Sequence, residues 1–80
     1  MNIVEIDHEL DTCGLHCPEP VMMLHNKISN MTSGEVVRMV ATDPSTRRDI
    51  VNFCGYLDHE LLEHSQKNKR YYYVIRKISS

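Results

Sequence analysis

What this sequence lacks narrows its reading first. Its 80 residues contain no apolar run near the roughly 18 that a membrane-spanning helix needs, so no membrane association is expected. A strong excess of one charge is also missing. Nine Lys and Arg stand against eleven Asp and Glu, for a formal net charge of −2. Non-specific nucleic-acid binding needs a basic excess, so no direct nucleic-acid partner is expected. Cysteine is sparse and odd in number: Cys13, Cys17 and Cys54. That fits a disulfide scaffold poorly and suits a reducing compartment, where one thiol can be kept for its reactivity. Met1 to Leu10 carries Glu5, Asp7 and Glu9 and lacks a basic region followed by an apolar stretch, so it does not read as a signal peptide. The expected location is the cytoplasm.

Repeats, low-complexity tracts and linkers are absent too. Residues 1–80 are therefore expected to form one domain, acting as a monomer. A chain this short buries only about 60–65% of its unfolded surface. It has no room for a deep enclosed site, and any chemistry must lie near the surface. Metal-ligand spacing is also wanting. His8, His16, His25, His59 and His64 form no His-x3-His pair and no H-E-x-x-H, and Cys13-x3-Cys17 has no second ligand pair after it. No metal is expected.

What is present reads as six elements. An extended segment near His8–Thr12 is closed by Gly14. Val21, Leu24, Ile28 and Met31 then recur at helical spacing, with Asn26, Lys27 and Asn30 between them and Ser33-Gly34 as the stop. Glu35–Thr42 is apolar on much of both faces and predicts a central strand. Asp43 and Pro44 look like the cap and first residue of a second helix. Its apolar face is Ile50, Phe53, Cys54 and Leu57, and Gly55 is expected to end or distort it. His59–Ser65 and Tyr71–Lys77 read as hairpin arms around Lys67-Asn68-Lys69. The fold class expected is an α/β (α+β) two-layer sandwich, βαβαββ, with both helices on one face of a mixed four-stranded sheet.

The informative local feature is Cys17-Pro18-Glu19-Pro20. Proline keeps the preceding residue extended, which is the backbone geometry of a helix cap. With Cys17 as cap and Pro18 at the first helical position, the sulfur would face the positive helix end. The Glu19 amide would donate to it, and the thiol pKa should fall moderately below about 8.5. The Glu19 carboxylate would oppose this. Pro20 leaves a second start open, with Glu19 as cap and Cys17 ahead of the helix. The first start is preferred. A small buried cysteine before a proline-started helix has the same local appearance, so local chemistry leaves reactive and structural readings of Cys17 balanced.

The segment Leu10-Asp11-Thr12-Cys13-Gly14-Leu15-His16-Cys17-Pro18-Glu19-Pro20-Val21 resembles the L-D-x-x-G-x-x-C-P-x-P signature of the TusA/SirA-type sulfur carriers. The likeness continues through Asp43-Pro44-Ser45-Thr46, Asp49-Ile50, Phe53-Cys54 and Tyr73-Val74-Ile75-Arg76-Lys77. As a set it stands nearest to the TusA type. The resemblance implies a βαβαββ fold and a persulfide carried on Cys17. It implies a cysteine desulfurase as donor and a downstream sulfur-relay protein as acceptor, toward 2-thiouridine at tRNA wobble positions. Relatives serve other pathways, including molybdenum cofactor synthesis. No metal or organic cofactor is implied. His16 stands where relatives often carry arginine.

Other residues have two readings each. Cys13 is a small core residue at a strand end or a thiol that resolves a Cys17 persulfide. Cys54 reads as core. Lys27, Arg47 and Arg48 form a basic docking patch if both helix starts share one end, or else solvated helix faces. Alternation puts Tyr71 and Tyr73 on one side of their strand and Tyr72 on the other, as in ordinary sheet packing rather than nucleotide stacking. The competing functions are a non-catalytic protein- or nucleic-acid-binding regulatory module and a metal-binding thiol protein using Cys13, Cys17 and a histidine.

Overall fold

The hydrophobic pattern becomes four strands and two helices in a computed structural model that describes residues 5–78. The signal-peptide reading of Met1–Leu10 falls partly on residues 1–4, outside the described residues. The chain runs β1 (His8–Thr12), α1 (Glu19–Ser29), β2 (Val36–Ala41), α2 (Thr46–Leu57), β3 (Glu60–Lys67) and β4 (Arg70–Arg76). The sheet order is β1-β2-β4-β3. β1 is parallel to β2, with Leu10 opposite Met39, and β4 is antiparallel to both β2 and β3, with Tyr73 opposite Met39 and His64. Among the described residues no helix is long and apolar enough to cross a membrane.

Period-two alternation selects the covered face. Val37, Met39 and Ala41 from β2 and Tyr71, Tyr73 and Ile75 from β4 meet Leu24 and Ile28 of α1 and Ile50 and Cys54 of α2 in one core. β2 is central and buried along most of its length, as its continuous apolar run requires. Tyr72 points to the other face and is half-buried, while Tyr71 and Tyr73 are buried. Cys54 belongs to the core, as its helical position predicts.

Several boundaries differ from the sequence reading. α1 ends at Ser29 with Asn30 as its cap, so Met31 lies beyond the helix although it stays buried. The stop comes early because other groups satisfy the last carbonyls. The Asn30 and Met31 amides turn back onto the final turn, and Lys77 Nζ donates to Ile28 O at 2.9 Å and Met31 O at 2.8 Å. Gly55 neither ends nor distorts α2. The helix continues to Leu57 and closes at Asp58 in the left-handed region, φ 57°. A glycine inside a helix costs only about 1 kcal/mol, and Ile50 and Cys54 anchor this one in the core. Leu57, placed on the apolar face by its spacing, is exposed. α2 proper starts at Thr46 after one tighter turn over Pro44-Ser45. In that turn Asp43 Oδ1 accepts the Ser45 amide at 3.0 Å, while Ser45 is the cap of the helix itself. The hairpin turn is two residues, Asn68 and Lys69, both with positive φ, as a tight hairpin twist demands, and Lys67 belongs to β3.

Lys77 ties the end of the chain's last strand to the end of its first helix through buried, charge-assisted bonds. Replacing it with methionine keeps the stem and removes the donors. Lys77→Met should cost about 2 kcal/mol and lower the thermal midpoint by roughly 10 °C. Thermal unfolding followed by circular dichroism measures this, and an unchanged midpoint would show that the carbonyls need no such donor.

Candidate functional site

Because β1 and β2 are parallel, both strands deliver the chain to the same end of the sheet. The β1–α1 loop, residues 13–18, and the β2–α2 loop, residues 42–45, therefore lie side by side. Gly14, φ +84°, lets the first loop turn sharply out of β1. Its amide donates to Thr42 Oγ1 at 2.8 Å, and the Cys13 amide donates to Asp11 Oδ1 at 2.9 Å. The Cys17 amide donates to Asp43 Oδ2 at 2.7 Å. Asp43 thus holds the two loops together with one carboxylate, one oxygen on Cys17 and the other on Ser45. Those amides, first that of Cys17 and then that of Ser45, hold the Asp43 carboxyl below its ordinary pKa, and His16 adds a smaller effect of the same sign.

The arrangement corrects the expected helix entrance. α1 begins at Glu19 with Pro18 as its cap, and the Cys17–Pro18 peptide is cis. Neither expected start is the one found: Cys17 is one residue ahead of the cap, and Glu19 is already helical. The Glu19 amide donates to His16 O at 2.9 Å and not to the sulfur. Pro20 is buried under the first turn, whereas Pro18 and Glu19 are exposed. The sulfur consequently sits off the helix end, where the dipole falls away quickly.

The Cys17 thiol is exposed, and its pKa is raised rather than lowered. The main cause is a hydrogen bond to the Asp49 carboxylate, which keeps the proton on sulfur. Partial desolvation and the negative charge of Asp49 act in the same direction, as does Asp43 more weakly. Ser45 opposes them: its hydroxyl favours the thiolate, although the buried Ser45 Oγ makes no hydrogen bond of good geometry. The carboxylate that acts on the sulfur therefore comes from α2, not from Glu19. Asp49 was legible only as part of the family resemblance. Its role depends on the first turn of α2 lying beside the β1–α1 loop, and only the parallel pairing fixes that.

The other cysteines are less available. Cys13 is partly buried, and desolvation and Asp11 raise its thiol pKa. Cys54 is buried, and desolvation pushes its pKa up to about 11. The basic residues are not one patch: Arg47 and Arg48 lie exposed on the first turn of α2, but Lys27 occupies the last turn of α1, at the opposite end. Among the described residues no three His, Cys, Asp or Glu side chains converge as a metal site. His8 pairs with Glu35 at 3.0 Å, and His25 and His59 pack against Phe53.

Removing the Asp49 charge should ease ionisation of Cys17. With the thiol pKa raised in the native chain, alkylation at neutral pH draws on a small thiolate fraction and rises as pH increases. In Asp49→Asn the pH profile for Cys17 should move to lower pH, and alkylation at neutral pH should quicken several-fold. Mass spectrometry of iodoacetamide adducts against pH measures both. A profile unmoved, or moved to higher pH, would remove Asp49 as the controlling group.

Comparison with known proteins adds to this geometry. A family model described as "Sulfurtransferase TusA" matches residues 8–77. The chain is 54% identical over 72 residues to the sulfur carrier protein TusA of Pseudomonas paraeruginosa (strain DSM 24068 / PA7), covering 90% of this chain and 91% of that protein. It is 53% identical over 74 residues to the protein of the same name from Pseudomonas fluorescens (strain SBW25), covering 92% and 89%. The crystal structure of a SirA-like protein from Desulfitobacterium hafniense superposes with a TM-score of 0.79 over 90% of this chain and 99% of that one, at 19% identity. That last likeness concerns the fold.

Proposed function

The chain belongs to the TusA sulfurtransferase family, whose relatives are sulfur carrier proteins, and on that footing we propose that Cys17 is the atom-carrying residue of a persulfide relay. The observation that supports this most is exposure. Of the three cysteines Cys17 alone is exposed, on a loop held by its backbone amide rather than by its own side chain. The exposed side chain, once it leaves Asp49, can enter a partner's site while the backbone stays fixed.

The chemistry needs no net oxidant or reductant. Cys17, having given up its proton, attacks the outer sulfur of a donor persulfide. The donor's S–S bond breaks, its inner sulfur leaves as a thiolate, and Cys17 holds the persulfide. An acceptor thiolate then attacks that outer sulfur, and the Cys17 thiolate leaves and recovers a proton. At rest, the carboxylate of Asp49 keeps the Cys17 thiol protonated and so slow to react with stray electrophiles. We propose a cysteine desulfurase as donor, a relay protein as acceptor, 2-thiouridine in tRNA as the destination of the sulfur, and the cytoplasm as the setting. Pro18, Glu19 and Pro20 serve in this reading as the rigid entry to α1 that presents Cys17.

Incubation with a cysteine desulfurase and labelled cysteine, followed by peptide mass mapping, tests the assignment. One extra sulfur should appear on Cys17, and Cys17→Ser should abolish loading without loss of fold, since the side chain is exposed. Loading that persists on Cys13 or Cys54 would overturn it.

A further inference from the structure

Beside Cys17 lies a second feature that sulfur transfer itself does not use. An open groove of about 620 Å³ runs between α2 and β3, and it begins at Pro44 and Ser45, the residues that follow Asp43. Arg47 and Arg48 line it from the helix, and His64 lines it from the strand. Val51, half exposed, gives it an apolar wall. Tyr73, at its base, is buried. Among the described residues no carboxylate lines it, although the chain as a whole is acidic. Arg48 approaches Asp49 only at 4.0 Å with its side chain 78% exposed, and among the described residues Arg47 makes no ion pair. Arg47, without an ion pair among the described residues, and Arg48, exposed and held only by a long contact to Asp49, can both turn to outside carboxylates, which a guanidinium grips in a bidentate manner. β3 is an edge strand, so among the described residues no further strand of the sheet closes the groove beyond it.

We propose that the α2–β3 groove docks an acidic, extended segment of the protein that exchanges sulfur with Cys17. The inference rests on the carrier reading above and adds the place and chemistry of the partner contact. Positive charge beside an apolar wall matches a segment that alternates carboxylate and aliphatic side chains. Complementary charge of this kind steers encounter and fixes register more than it adds raw affinity. A segment lying in the groove reaches Ser45 at its end, and from there the partner's reactive sulfur can meet Cys17. A nucleic acid fits less well: the buried Tyr73 ring offers no stacking face, and two arginines in a chain of net charge −2 release few counterions.

The test is a heteronuclear NMR titration of the native chain with a peptide that alternates Glu and Leu. The same peptide with Gln for Glu, and a uridine oligonucleotide, are titrated alongside. Shifts should localise to Arg47, Arg48, Val51 and His64, and the Gln peptide should fail to produce them. R47E/R48E should weaken binding about tenfold or more. Lys27→Glu, a single charge reversal at the far end of α1, should leave it unaltered. R47Q/R48Q serves if charge reversal perturbs the fold, and should weaken binding in the same direction. Absence of groove shifts, equal binding by the Gln peptide or by the Arg variants, or preferential binding of the oligonucleotide there would each overturn the proposal. In parallel, the native chain is treated with glutathione persulfide and the sulfur is mapped. A chain that binds the peptide but takes no sulfur at Cys17 overturns the carrier reading. One that takes sulfur but does not bind the peptide overturns the groove.

Discussion

Everything at the working end of this molecule follows from the parallel pairing of β1 with β2. Two strands that point the same way must each be followed by a return path, and here each return is a helix. Both strand-to-helix loops then emerge at one edge, with Cys17 in the first and Asp43 in the second. One carboxylate can span them because the register fixes Thr12 opposite Ala41, so the loops leave the sheet level with each other. Asp43 uses the coincidence fully, taking the Cys17 amide on one oxygen and the Ser45 amide on the other. Behind it, Thr46 Oγ1 donates to Asp43 O at 2.7 Å. The buried Tyr73 hydroxyl must therefore donate in turn to Thr46 Oγ1, at 2.8 Å. β4 thus supports the loop that supports the cysteine.

The same geometry decides the electrostatics of the sulfur. A cysteine at a helix start invites a dipole argument, and that argument requires the sulfur to sit at the cap. Here the cap is Pro18, and the groups that reach the sulfur are Asp49, Ser45 and Asp43 from the neighbouring loop and helix. A nearby carboxylate outweighs a distant helix end, and the thiol is held protonated. For a carrier this has a functional sense. A thiol held protonated in the free chain reacts only as its proton is removed. The loop itself is fixed beforehand, so little ordering remains to oppose transfer.

Much of the fold was legible in the sequence because it rests on periodicity. Val36 to Val40 announced a buried strand. Ile50 and Cys54 announced a helix face, and the alternation of Tyr71, Tyr72 and Tyr73 announced which rings face the core. Cys17 was singled out by the family signature, since its prolines alone left reactive and structural readings balanced. What escaped was set by contacts distant in sequence. Lys77 ends α1 from 49 residues away in Ile28's case, so no local stop signal could place that end. Asp49 sits 32 positions beyond Cys17 and was marked only by the family resemblance, which gave it no role at the sulfur. The second proline hid the cap, since two starts satisfied the local rules and the structure took neither. Lys27 seemed a neighbour of Arg47 and Arg48 only while its place along α1 was left out of account.

The claim on which the rest turns is that the Asp43 carboxylate fixes the backbone of Cys17. Its pKa lies below the ordinary aspartate value of about 3.9 because the charged form accepts both amides. The sign follows: the clamp is fully present above the ordinary carboxylate range and is lost as pH falls through the lowered pKa. The direct measurement is an NMR titration that follows the side-chain carboxyl of Asp43 and the backbone amide of Cys17 together. The account predicts a single midpoint below the ordinary aspartate value, reported by both nuclei. A carboxyl that titrates at the ordinary value while the Cys17 amide stays unmoved would contradict it.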